Sequence, residues 1–162
     1  MNFKLTNSFY DKLLLQAHES PRKRSHYNLH KELTEPVQRL CIALVKGTYV
    51  RPHYHPQSNK WELMLVLRGA VSLVIFDNEG KVLEKLLLSQ GDELSGIELE
   101  PNTWHTVCPL TDEAVILEVK EGPFTPTKES DFAVWAPAEG DEKVVAFLNW
   151  QEGANTGDSY HL

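Results

Sequence analysis

GTYVRPHYHPQSNKWELMLVLRG, residues 47–69, is the stretch whose reading decides the fold. It sets His53 and His55 one residue apart and places Glu62 further on, with Gly47 and Gly69 at its ends. A third histidine, His105, follows Pro101 in PNTWHTV. Side chains two apart on a strand point to one face, so His53 and His55 share a direction. The alternation in WELMLVLR puts Glu62, Met64 and Val66 on one face. With that face inward, Glu62 stands at the mouth of a barrel, apolar residues lie deeper, and His105 closes the site from another wall. Three imidazoles and a carboxylate suit one divalent transition metal, and Zn, Fe, Mn, Ni or Co are not distinguished by ligand type. Lone histidines are commonly surface or structural residues, and an HxH pair arises by chance. The joint spacing is what marks a site. His18 and His161 share none of it and read as ordinary.

Outward from this stretch, residues 37–121 alternate short runs rich in Val, Ile, Leu and aromatics with turn residues. The runs are VQRLCIALV, TYVRPHYH, WELMLVLR, AVSLVIFD, KVLEKLLL, ELSGIELE, TWHTVCPL and AVILEVKEG, with hairpin or turn signals at Arg68-Gly69 and at Asp77–Gly80. About eight closely spaced strands predict an all-β sandwich or small barrel. Nothing alternates strand with long helix, which argues against a parallel α/β sheet. Residues 7–18 predict a short helix capped by Asn7 or Ser8 and ended by Pro21, with Phe9, Leu13, Leu14 and Ala17 near helical spacing. The following PRKRSHYNLH reads as a basic loop or extended arm. Residues 142–150 suit either an amphipathic helix or an edge strand, and ANTGDSYHL reads as frayed. The expected organisation is one domain: helix and basic arm over 1–35, barrel over 36–121, and an irregular extension over 122–162.

The 162 residues carry a formal charge of −7, from 16 Lys plus Arg against 23 Asp plus Glu. That argues against nucleic acid as a partner, which needs a basic face, and leaves room for a local basic pocket. Cys41 and Cys108 lie in apolar runs and read as reduced core residues. The N-terminus lacks the apolar stretch and cleavage site of a signal peptide, and no segment approaches membrane-spanning length. A soluble cytoplasmic protein is expected.

Gly47, His53, His55, Glu62 and Gly69 resemble the first cupin motif, G-x5-H-x-H-x(3–6)-E-x6-G, and PNTWHTV resembles the second, which carries the third histidine ligand. Here Pro101 precedes His105 by four residues rather than five, and Thr103 stands near the usual glycine, so the turn before His105 is of a different type. SPRKRSHYNLH, PVQRL, GTYVRPHYHP, NKWELMLVLRG, PNTWHTV, EVKEGPF and DFAVWAPAEG, in that order, are similar to WbuC-type cupin metalloproteins. The resemblance implies a double-stranded β-helix with a metal in the barrel, a homodimer, and an association with bacterial surface-polysaccharide (O-antigen and amino-sugar) gene sets. It does not supply a reaction.

Candidate ligand contacts are Arg22, Arg24, Asn28 and His30 in the basic arm, with Lys23, and Arg51 beside the histidines; Arg39 is a further candidate. Guanidinium groups present paired donors to carboxylate, phosphate or a nucleotide-sugar diphosphate. Trp135 reads as core, while Trp61 and Trp104 alternate with inward ligands and should face outward. The expected function is a metal-binding cupin that acts on or binds a sugar or nucleotide sugar by Lewis-acid isomerase or epimerase chemistry. Tyr49, His30 and Glu98 are the candidate bases. The alternatives are a non-catalytic sugar- or metal-sensing module and an Fe(II)-dependent oxygenase using the same ligands. A closed structural metal site ranks last, since those favour Cys/His cages.

Overall fold

The computed structural model describes residues 2–161. The chain forms α1 (Asn7–Glu19), β1 (Arg24–Asn28), β2 (Val37–Val45), β3 (Glu62–Arg68), β4 (Ala70–Phe76), β5 (Val82–Ser89), β6 (Gly96–Leu99), β7 (Trp104–Pro109), β8 (Glu113–Glu121) and α2 (Val144–Gly153). A 3-10 turn at Glu129–Asp131 precedes α2. The strands make a five-stranded sheet, β1-β2-β8-β3-β6, and a three-stranded sheet, β5-β4-β7. Every pairing is antiparallel. The fold is the all-β double-stranded β-helix that the cupin motifs imply, with a helix at each end of the chain.

Strand alternation builds the core. Ile42 and Leu44 of β2, Met64 and Val66 of β3, and Ala114 and Ile116 of β8 pack inward against Val71 and Leu73 of β4, Leu88 of β5 and Val107 of β7. The intervening Cys41, Ala43, Val45 and Val115 face the other way and are covered by Tyr10, Leu13, Leu14 and Ala17 of α1. Thus α1 exists to close the outer face of the large sheet. Both cysteines are free, as their apolar settings predicted, and burial pushes the Cys41 thiol up to about 11.

Several local expectations are corrected. The α1 cap is Thr6, whose Oγ1 accepts the Phe9 amide at 3.2 Å, rather than Asn7 or Ser8. The basic arm contains β1, which pairs with β2 from Arg24↔Leu44 to Asn28↔Leu40. Its hydrophilic residues hid a strand because the sheet edge offers backbone bonds without requiring an apolar side chain. TYVRPHYH is extended but carries only two isolated bridges, from His53 to His105 and to Phe132, since Pro52 and Pro56 cannot donate to a ladder. Of the hairpin or turn expected at Arg68-Gly69 the structure has the turn: β3 and β4 belong to different sheets, and Gly69, at φ +73°, carries the chain from one to the other. Residues 144–153 are helical, which settles the helix-or-strand choice.

The C-terminal tail is also pinned rather than frayed. Gly157 donates to the Val82 carbonyl and Val82 to the Asp158 carbonyl, both at 2.8 Å, and the Tyr160 ring packs 4.9 Å from that of Phe147. Leu162 lies outside the described residues. Among those residues, no helix is long and apolar enough to cross a membrane.

Candidate metal centre

His53, His55 and His105 each offer a ring nitrogen within 4.8 Å of the others. Two backbone bonds make this possible: the His53 amide donates to the His105 carbonyl at 3.1 Å, and His105 returns one at 2.9 Å. They tie the irregular 50–56 segment to β7. Asn102, in the turn before His105, takes φ +64° and donates its amide to the His55 carbonyl at 3.1 Å. Asparagine tolerates the left-handed region, so it does the work expected of a glycine near Thr103.

These residues fit a divalent ion. His53 Nδ1 lies 3.0 Å from the Arg51 carbonyl and His105 Nδ1 2.9 Å from the Thr103 carbonyl. A carbonyl only accepts, so each Nδ1 carries the proton and each Nε2 is left with a bare lone pair. Burial, with His105 beside it, pushes His53 down to about 3, and burial lowers His105 as well, so both rings stay neutral near pH 7. Imidazole nitrogens on one ion stand roughly 3–3.5 Å apart at bond lengths of about 2.1 Å, a spacing that the 4.8 Å limit on the three ring nitrogens accommodates. Glu62 completes the set: its Oε2 lies 3.0 Å from His55 Nε2 and 3.9 Å from His105 Nε2. Burial alone would raise the Glu62 carboxyl. The hydrogen bond from His55 and the Lys120 charge outweigh it and hold the group well below the carboxylate range.

The cluster opens on a cavity of about 460 Å³, within the usual range for a small-molecule site. Arg22, Arg24, Asn28, His30 and Arg51 all line it together with the three histidines and Glu62. The β1 pleat explains the row: Arg24, His26 and Asn28 alternate onto the cavity face. Leu40, Ile42 and Leu44 of β2 supply an apolar floor. Arg39 instead pairs with Glu35 at the surface, and Lys23 is absent from the lining. Trp61 and Trp104 also lie outside the cavity, donating to Glu121 Oε2 and Asn78 Oδ1, while Trp135 packs among Phe76, Trp104 and core residues, as expected.

Two of the candidate bases are withdrawn. Tyr49 is buried beneath α2, its hydroxyl donates to the Pro137 carbonyl at 2.7 Å, and burial pushes its phenol up. Glu98 is exposed on β6 and lines no part of the cavity. Three charged residues went unseen. Glu118, buried, and Lys120, partly buried, line the cavity as an ion pair of β8. Burial and the nearby Glu62 charge push Glu118 up to about 7, while Glu118 and Glu62 hold Lys120 above its usual value against burial. Their signal was the alternation Ile116, Glu118, Lys120 in ILEVKE, which sets two charges on an apolar strand's inward face. The third is Glu139, which left no periodic signal. It accepts from Arg22 Nε at 2.6 Å and from Arg24 Nη2 at 2.9 Å.

The model of one protein family, described as Domain of unknown function (DUF6016), matches residues 5–88. No curated protein matches the sequence. Among solved structures, TT1209 from Thermus thermophilus is 20% identical, with 75% of this chain and 97% of that one covered and a TM-score of 0.54. An oxalate oxidase in complex with the substrate analogue glycolate is 16% identical at TM-score 0.52, covering 65% of this chain and 54% of that one. An RmlC-like cupin with a double-stranded β-helix fold from Methanocaldococcus jannaschii is 20% identical, covering 62% and 81%, at TM-score 0.48. At such identities the likeness bears on the fold alone.

Proposed function

This chain belongs to the DUF6016 family, and we propose that it is a metal-dependent cupin whose cavity binds a small polar, anionic ligand. The observation that carries the reading is the meeting of His53, His55 and His105 with the Arg22–Arg24 row on the wall of one cavity. Glu62 is the fourth ligand in this proposal. A divalent ion held there supplies Lewis acidity toward ligand oxygens. The chain's own residues do the rest: Leu40, Ile42 and Met64 exclude water from one side, and the arginines orient negative charge. Resemblance to WbuC-type cupins points to a sugar or nucleotide sugar of surface-polysaccharide metabolism, with isomerase- or epimerase-type proton transfer as the reaction. A homodimer belongs to the same reading, and sedimentation reads it directly.

The test is elemental analysis of the purified protein, followed by a screen of nucleotide sugars for turnover and for thermal shift. We expect close to one transition-metal ion per chain, lost in H53A/H55A. Protein that carries no metal, with H53A/H55A as stable as wild type, sinks the reading. Stabilisation by a sugar nucleotide without turnover selects a binding module. Iron with oxygen consumption selects the oxygenase.

A further inference from the structure

We propose that Arg22 and Arg24 form a carboxylate-receiving subsite at the cavity, which Glu139 fills as an internal stand-in and which the carboxylate of a small acidic ligand takes over. The inference deepens the ligand-cavity reading above and rests on it. Glu139 receives four charge-assisted bonds. Arg22 gives Nε to Oε1 at 2.6 Å and Nη2 to Oε2 at 2.8 Å, and Arg24 Nη2 reaches both oxygens, at 2.9 and 3.1 Å. That is the fork geometry in which guanidinium recognises a planar carboxylate. Two guanidinium charges on one carboxylate leave a positive charge over, at a cavity in a protein of net charge −7.

Arg24 is the fixed half of the receptor, while Arg22, 56% exposed, and Glu139 stand at its solvent side. Arg24 is 7% exposed, and its Nη1 is held by the Tyr49 carbonyl at 2.6 Å, so its donors stay in place without Glu139. The Glu139 side chain is 39% exposed. It is followed by Gly140, where an added Cβ would meet nothing within 4 Å, so open space lies beside the carboxylate's segment.

A second observation points independently to a ligand. His30, 6% exposed, lines the same cavity, and its Nε2 has no hydrogen-bond partner. His30 Nδ1 lies 2.9 Å from the Arg39 carbonyl and 3.0 Å from the Arg39 amide; the amide can only donate and needs the Nδ1 lone pair, whereas the carbonyl is already satisfied by the Leu29 amide at 2.8 Å. His30 Nδ1 is therefore the acceptor, and Nε2 carries the proton on the cavity side. A buried donor of this kind calls for an oxygen. The Tyr49 carbonyl that holds Arg24 lies four residues before His53, so the backbone between these two points spans at most about 14 Å. A polyhydroxylated carboxylic acid matches these features, with its carboxylate on the arginines, a hydroxyl on His30 and further oxygens toward the histidines.

Nuclear magnetic resonance titration of the protein as purified with acetate, D-gluconate and inorganic phosphate tests this, reading the arginine Nε–H signals. E139A and E139Q should bind acetate and gluconate about tenfold more tightly than wild type, because the internal competitor is gone. Adding R22A to E139Q should abolish the gain. The assignment is overturned if neither Glu139 variant gains, if phosphate gains as much as the carboxylates, or if the gain survives R22A. The acetate arm is repeated after EDTA treatment. A gain that persists there supports the subsite even where the metal reading has failed, and a gain that vanishes puts the anion on the metal and refutes the subsite.

Discussion

Replacing Gly69 with alanine perturbs the corner where β3 hands the chain to β4, and the structure allows its cost to be divided. At φ +73° an added Cβ is strained for any L-residue, and it would also collide with the Glu113 carbonyl oxygen and lie 2.6 Å from Thr111 Oγ1. Gly91 is the control, since it has φ +84° but nothing within 4 Å of its added Cβ. Both substitutions incur left-handed strain of about 1–2 kcal/mol, and both gain slightly from a stiffer unfolded chain. Only G69A must move the β8 backbone, at roughly 1–3 kcal/mol for an overpacked contact. For a domain of this length each kcal/mol lowers Tm by about 2–4 °C. We therefore expect G91A to melt roughly 2–8 °C below wild type, and G69A a further 2–12 °C lower. Differential scanning calorimetry of the three proteins decides it. If G69A and G91A melt together, the close approach of Gly69 to Glu113 plays no part and the corner argument is wrong.

Three further outcomes follow from the same geometry. Saturating the apo protein with the metal identified by elemental analysis, at about 100 times Kd, should add about 2.7 kcal/mol of stability; H105A should show no metal-induced rise in Tm, and an undiminished rise would remove His105 from the site. Phe147 is fully buried against Tyr49, Ala133 and Ala136, so F147A should cost about 3–5 kcal/mol and expose the C-terminal extension to limited proteolysis; wild-type protease resistance would contradict the packing. Burial raises the Glu139 carboxyl, but the hydrogen bond from Arg22 and the two guanidinium charges outweigh it and set it below its ordinary value. Its contribution is therefore present above the ordinary carboxylate pKa and lost as pH falls through the depressed one. The Tm difference between wild type and E139Q should shrink from pH 7 to pH 3, by no more than the modest amount a part-exposed pair supplies, and a difference that grows on acidification would refute the pairing.

Legibility varied with how local the deciding physics was. His53, His55, Glu62 and His105 could be read because ligand spacing and strand alternation are properties of short segments, and all four line one cavity. The strand at Arg24–Asn28 was missed because its neighbours, Leu40–Leu44, supply the reason for it through backbone pairing. Tyr49 looked available because it lies close in sequence to the histidines; its ring instead packs 5.6 Å from that of Phe147, almost a hundred residues away.

The sequence by itself determined the clustering of the three histidines, the all-β barrel, the helix that covers it and the two reduced cysteines, since each follows from periodicity or from the chemistry of a few adjacent residues. Only the tertiary structure decided which charges share the cavity. Glu139 meets Arg22 across 117 positions of chain, and Glu118 and Lys120 come to face Glu62 because β8 pairs with β3. The physical reason is that a charge acquires its role from its neighbours in space. Burial and pairing then fix whether it binds, stabilises or stays neutral, and no local pattern records those neighbours.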